Sequence, residues 1–438
     1  MNFCSALTKI GMVCAALLLC VAPKTMFAAN GYTGLFSFTG ATGSFPGTGP
    51  IGTFVLSGST LYGVARNGGA GGNGVLYSYN TANDTYTELV SFTDVSGLFP
   101  GFAPNSVIPS ASGTVLYGTT YQGGVTNLGV LYSYDLGTNT YTELLNFTGA
   151  SGAFLGQNPI SNLVLVGSTL YGVASGGLGS GVLFSYNLGS NAYTLLVEFS
   201  GTTGSFFGSD PNSLVLSGNT LYGTTITGGA SNFGVLFSYN LVTFMYNALI
   251  NFTGTSGAAL GQAPNGPLVV SGSTLYGTTQ AGGINGLGAA FSYDITTTTY
   301  TPLFSFTGSS VSFPGDTPEA GLSMLGTVLY GTTNAGGNSG DGVLFSYDTA
   351  SSTYTELFNF VNTAAAPGSS PAGAVTPIGN VLYGTANGGG TSLDGVLFSF
   401  APSPQQGGGY AGKKKKRHRH SHHPRPAPTR SIPKYKTN

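Results

Sequence analysis

Residues 163–199 read LVLVGSTLYGVASGGLGSGVLFSYNLGSNAYTLLVEF. Apolar, aromatic and β-branched runs at 163–166, 169–173, 182–186 and 193–199 alternate here with Gly, Ser and Asn. Each run is too short for an ordinary helix, and its residue types suit a pleated, half-buried surface. Gly167-Ser168 is a two-residue hairpin turn, Gly176-Gly177 opens a loop, and 187–191 forms a second turn. The stretch therefore reads as four consecutive antiparallel strands.

The same unit recurs along the chain. Leu-Tyr-Gly begins at Leu61, Leu116, Leu170, Leu221, Leu275, Leu329 and Leu382, with spacings of 55, 54, 51, 54, 54 and 53 residues. A block of the type GVLYSY follows each copy, at 74–79, 129–134, 181–186, 234–239, 288–293, 342–347 and 395–400, with a Gly-Gly pair in between. Four strands in a unit of about 50 residues mark a propeller blade, because the coils of a β-helix are much shorter. The fourth-strand pattern of 141–148 (YTELLNFT) also stands at 32–39 (YTGLFSFT), before the first complete unit, while the last unit stops after its third strand at Phe400. Together these predict an all-β, seven-bladed β-propeller of four-stranded blades over 30–400, its ring closed by the N-terminal strand as the outer strand of the last blade. Ring closure removes most sheet edges, and each blade needs to pack only on its neighbours.

Two resemblances rest on these residues. Tyr117, Gly123, Gly124, Tyr134, Asp135 and 141–144 (YTEL) follow the order of a kelch repeat, with Tyr where kelch usually has Trp. Phe-Thr-Gly at 252–254, LYGTT at 275–279, Gly282-Gly283, and GVLF at 234–237 in the preceding unit resemble more closely the GloVer tandem repeat of exported choice-of-anchor proteins. That resemblance covers 32–400 and implies export and surface placement, with no activity attached. In that family different C-terminal sorting tails follow the same repeats. Here a basic tail follows them, with no apolar anchor helix.

Charge is scarce and segregated. Asp, Glu, Lys and Arg make up 6% of the 438 residues, against roughly 25% in an ordinary domain. All 14 acids lie between Asp84 and Asp394, and Arg66 is the single base of 30–412, which therefore carries −13. The tail from Lys413 onward holds ten bases and no acid. Lys9, the apolar run 10–22 and the small residues ending at Ala29 read as a secretory signal peptide, residues 1–29, too short to span a bilayer. Cys4, Cys14 and Cys20, the only cysteines, fall inside it, so the mature chain has no thiol for a disulfide or a metal site. All four His lie in the tail. The predicted propeller thus lacks the residues of a Ser-His-Asp triad, a Cys-His pair, a Schiff-base Lys or a His-ligated metal. The expected protein has no catalytic residue, no cofactor and no metal.

Residues present in every copy are demanded by packing. These include Tyr62, Tyr117, Tyr171, Tyr222, Tyr276, Tyr330 and Tyr383, as well as the Gly-Gly pairs, which call for positive φ. Asp135, Asp294 and Asp348 open turns, and Glu88, Glu143 and Glu356 share one solvated strand position. The loops joining second to third and fourth to first strands are long and open on one face, where binding on a rigid scaffold usually resides. Candidate ligand-binding residues there are Arg66, Asn67, Tyr121, Gln122, Asn232, Asn334, Asp341, Asn387 and Asp394, of a kind that could hold a glycan. Arg66 is expected to pair with Asp394 or to face the central channel. After a Pro/Gly linker at 401–412, the disordered, His-rich tail 413–438 carries Lys413, Lys414, Lys415, Lys416, Arg417 and Arg419. Its natural partners are polyanions, which for an exported protein means anionic envelope polymers or lipid headgroups, with no specific nucleic acid. The expectation is a monomeric, exported, non-enzymatic binding or structural module at the cell surface. The alternative is a carbohydrate-binding or carbohydrate-active protein that uses loop-face carboxylates and amides.

Overall fold

The computed structural model describes residues 27–29, 31–310, 312–363 and 367–402. The rest of the leader, most of the linker and the basic tail with Lys413, Lys414, Lys415, Lys416, Arg417 and Arg419 lie outside the described residues. Within these the chain is all-β, and seven antiparallel sheets form a seven-bladed propeller. Blades one to six take their strands in sequence. The third, for example, runs Val164–Val166, Thr169–Ala174, Val182–Asn187 and Ala192–Glu198. The seventh takes Thr376–Ile378, Val381–Ala386 and Val396–Phe400 from the C-terminal end and Tyr32–Ser37 from the N-terminal end. A short strand, Phe27–Ala29, pairs with the outer side of Tyr32–Ser37 and overlaps the last residues of the expected leader.

The clasp strand reproduces the outer strand of the other blades in detail. A bulge interrupts the pairing of third and fourth strands in each, between Leu183 and Phe184 in blade three and between Gly34 and Phe36 in the clasp. A bulge tightens local twist, so its recurrence places all seven outer strands alike. The Tyr hydroxyl near the start of each outer strand donates to a carbonyl in its blade's entry loop: Tyr86 to Pro46 and Tyr141 to Pro100, each at 2.6 Å. Tyr32 of the clasp does the same to Pro367, at 2.5 Å, across 335 residues of sequence. The rings of these tyrosines stack on the central aromatic of the third strand, Tyr193 on Phe184 at 5.6 Å and Tyr32 on Phe398 at 5.4 Å.

The core is divided among the gaps between blades. The Leu-Tyr-Gly tyrosines pack there as expected, Tyr62 of blade one against Leu116 and Tyr134 of blade two, and Tyr383 of blade seven against Leu61 and Tyr79 of blade one. The turns opened by Asp135, Asp294 and Asp348 are Asx turns, in which the carboxylate accepts two backbone N–H groups, at 2.9 and 2.8 Å for Asp135. These bonds hold the three carboxyls below the usual carboxylate range.

Each blade is joined to the next by a backbone device that the Leu-Tyr-Gly count does not reveal. Pro50, Pro104, Pro159, Pro211, Pro264, Pro318 and Pro371 stand at one position of the repeat, just before or within the first strand. The residue before each has positive φ, although only Gly49 among the seven is glycine: Ala103 stands at 53°, Asn158 at 49° and Thr317 at 53°. This turn aims its N–H at a carbonyl of the preceding blade, as in Ala103 to Asn73 at 2.9 Å, Asp210 to Ser180 at 2.8 Å and Gly49 to Asp394 at 3.0 Å. The Pro ring then lies against the Gly that precedes the neighbour's third strand. A Cβ on Gly74 would come within 2.5 Å of Pro104 Cδ, and one on Gly395 within 2.5 Å of Pro50 Cδ. The last joint closes the ring.

Candidate functional site

The residue after each joint proline reaches the axis. Ile51, Asn105, Ile160, Asn212, Asn265, Glu319 and Ala372, one from every blade, line a cavity of about 550 Å³. That volume lies within the range of roughly 300–1,000 Å³ typical of small-ligand pockets. Arg66, near the end of the second strand of blade one, and Asn387, at the equivalent position just past that of blade seven, line it too. The loops meet on the same face, where Gly69 N–H donates to the Gly40 carbonyl at 3.1 Å and Gly124 N–H to that of Asp94 at 2.9 Å.

Two features give this cavity a chemical character. Among the described residues Arg66 and Glu319 are the only charged ones in its wall, and they are opposite in sign. Glu319 is fixed by amides of two blades, Gln280 Nε2 donating to Oε1 and Asn334 Nδ2 to Oε2, each at 2.8 Å. Arg66 is open to the water of the channel yet walled in by protein. Desolvation lowers its basicity, against the opposing pull of the Glu319 carboxylate and then of Tyr121. Secondly, the side-chain oxygens of Asn105, Asn162 and Asn387 are buried without a hydrogen-bond partner, and all three residues line the cavity. The amide of Asn105 is oriented by its nitrogen, which donates to the Pro159 carbonyl. That of Asn162 is oriented by a 2.9 Å bond to the Leu214 carbonyl. Both acceptors are therefore fixed with no donor supplied by the fold, a costly state for buried polar atoms.

The structure divides the residues proposed from sequence. Arg66 and Asn387 line the cavity, and Asn334 is one step behind them as a donor to Glu319. Tyr121 occupies the position of Arg66 in blade two, where its carbonyl accepts from Asn158 Nδ2 at 2.8 Å. Asn67 and Gln122 end second strands outside the cavity wall. Asn232 is a loop residue at φ 58°, its oxygen accepting from Gly228 N–H at 2.9 Å. Asp341 and Asp394 sit at the joints between blades, where their carbonyls receive Ser370 N–H and Gly49 N–H. Asp394 Oδ1 also accepts from Thr48 at 2.9 Å. Of the two places expected for Arg66, the channel is the one it lines, and Glu319 is the carboxylate that acts on it. Glu88 and Glu356 are half-buried rather than fully solvated, and burial raises both carboxyls.

Glu319, Asn105 and Asn162 were missed by sequence reading. For Glu319 and Asn105 the signal was the 52–55-residue spacing of the joint prolines, directly behind which a chemically varied residue stands. Among the described residues no group of three or more His, Cys, Asp or Glu is placed to hold a metal.

The sequence of the Gloeobacter/Verrucomicrobia repeat matches residues 100–263 and 259–411, well over half of the chain. The chain belongs to this family. No curated protein matches the sequence. The fold of this Gloeobacter/Verrucomicrobia repeat protein is similar to that of an extracellular domain from B. thetaiotaomicron described as part of a one-component system. There the TM-score is 0.52 and the identity 12%, covering 82% of this chain but 39% of the other. It is also similar to an oligogalacturonate lyase from Vibrio parahaemolyticus, with TM-score 0.52, 12% identity, and 85% and 94% of the two chains covered. A third likeness is to an oligogalacturonate lyase in complex with manganese, with TM-score 0.52, 13% identity, and 87% and 97% covered. At such identities the Gloeobacter/Verrucomicrobia repeat shares a propeller with these proteins and nothing finer.

Proposed function

We propose that the protein is an exported, non-enzymatic binding module that takes its ligand in the axial cavity and is held at the cell envelope by its basic tail. The observation that carries this reading is the wall of the cavity. Buried amide oxygens of Asn105, Asn162 and Asn387 lie there without partners, around an opposed Arg66 and Glu319. A ligand supplies the hydrogen bonds that the fold leaves open. Against catalysis stands the single carboxylate that the described residues place in the cavity, because glycoside hydrolysis ordinarily uses a pair. His, Cys and Lys, which supply many catalytic bases and nucleophiles, are also absent from 27–402. Export is supported by the leader sequence, and surface retention by the ten bases from Lys413 onward, each worth about 1 kcal/mol near an anionic surface.

Thermal denaturation of the full chain against a small-molecule library tests the cavity. A ligand is expected to raise the midpoint of the native protein and of a surface control, and to lose that effect in Arg66→Gln. Fractionation tests the tail by comparing the full chain with one ending at Gly412, each with and without a salt wash. Salt-dependent retention of the full chain alone is expected, and equal release of both sinks the electrostatic anchor.

A further inference from the structure

Resting on the axial cavity as the binding site, we infer that its ligand is a neutral polyhydroxyl compound, a short saccharide with no net charge. The unsatisfied groups in the wall are acceptors: Asn105 is 3% exposed, its nitrogen is already engaged, and its oxygen has no donor. Asn162 and Asn387 present the same need. Four kinds of group bring hydrogens or positive charge to such oxygens, namely metal cations, ammonium groups, neutral N–H groups and hydroxyls. The charges in the wall separate them. Arg66 and Glu319 sum to zero, so for a cation or an anion the attraction of one is offset by the repulsion of the other. A hydroxyl carries no charge and, unlike a neutral N–H, is donor and acceptor at once, so it can serve both the amide oxygens and the several N–H groups of the Arg66 guanidinium. Ile51, Ile160 and Ala372 complete the wall with apolar surface suited to the C–H faces of a sugar ring.

The test is calorimetric titration of the full chain at low salt with cellobiose, maltose, mannose, galacturonic acid and glucosamine. At least one neutral sugar is expected to bind more tightly than both charged ones. Asn105→Leu is the obvious variant, but it also removes the bond to Pro159, so the decisive variants change charge at the channel wall instead. Glu319→Gln leaves a net positive wall and is expected to shift preference at least tenfold toward galacturonic acid. Arg66→Gln leaves a net negative wall and is expected to shift it at least tenfold toward glucosamine. Wild-type preference for either charged sugar, still altered by these variants, overturns the neutral class and leaves the cavity as the binding site. Sugar binding that both variants leave untouched occurs elsewhere and overturns the cavity itself. Absence of heat with all five sugars overturns the saccharide class, and the library screen then decides whether the cavity binds anything.

Discussion

Two rings of seven equivalent positions surround the axis of this propeller, and they behave in opposite ways. The tyrosine of Leu-Tyr-Gly is the same residue in every blade. The residue after the joint proline is Ile, Asn, Ile, Asn, Asn, Glu and Ala in turn. Each tyrosine is wedged between two blades whose spacing is common to all, so one shape satisfies seven gaps. The post-proline side chains line a shared cavity instead, where Asn105, Asn212 and Glu319 reach neighbouring blades through hydrogen bonds that differ from blade to blade. Variation at a position whose backbone is fixed is thus where the repeat leaves room for a ligand, and uniformity is where it spends its sequence on packing.

The sharpest way to break this contrast is to put a side chain into a joint. In Gly395→Ala the new Cβ lies 2.5 Å from Pro50 Cδ and 2.7 Å from the Ala386 carbonyl, at φ +103°. Overpacking and strained backbone each cost about 1–3 kcal/mol, so a loss of about 3 kcal/mol is expected in urea denaturation of the full chain. Ala372→Asn, which gives blade seven the post-proline residue of three other blades, is expected to change stability by no more than about 0.5 kcal/mol, as for a position outside the packing core. Similar losses in the two variants would erase the distinction between the rings.

The fold was legible because the same pattern was written seven times. Strand count, the clasp at 32–39 and the Asx turns at Asp135, Asp294 and Asp348 follow from local residue types repeated at fixed spacing. Half of the site escaped for the opposite reason. Glu319 and Asn105 stand behind a recurring proline at a position whose residue type changes from blade to blade, and what brings them together is the angle at which seven backbones meet. Arg66 and Asn387 were accessible because they stand beside a motif, at the end of Leu-Tyr-Gly strands. Asp341 and Asp394 misled because a charged side chain draws attention at a position whose constant feature is its backbone carbonyl.

Tyrosine hydroxyls sharpen the comparison at a smaller scale. Tyr32 donates to the Pro367 carbonyl, so Tyr32→Phe removes a buried bond and is expected to cost about 1 kcal/mol. Tyr77 and Tyr132 occupy a third-strand position that is Phe184, Phe237, Phe291, Phe345 and Phe398 in the other blades. Both hydroxyls are buried without a partner. Their rings already stack like the phenylalanines, at 5.4 Å on Tyr86 and Tyr141. Tyr77→Phe and Tyr132→Phe are therefore expected to leave stability unchanged or raise it by up to about 1 kcal/mol each. A loss in either would mean that its hydroxyl has a partner in solution.

The smallest effect lies at the turns on the opposite face. Asp135, Asp294 and Asp348 have carboxyls held below their ordinary value by backbone N–H donors. Because the folded pKa is the lower one, their contribution to stability is present above about pH 4 and is lost as pH falls through the folded value. Glu88 and Glu356, raised by burial, act with the opposite sign, adding stability in acid that is lost as pH rises past their folded values. Asn80, Asn187 and Asn240 already fill the same turn in three blades, accepting from Ala82, Gly189 and Val242 at 2.9, 3.0 and 2.9 Å. Replacing the three aspartates by asparagine thus keeps the turn and removes its titration. The melting temperature of the triple variant is expected to match the native protein at pH 7 and to exceed it at pH 3. An acid-side decline of the same size in both proteins would assign that decline to carboxylates elsewhere and leave the Asx turns indifferent to charge.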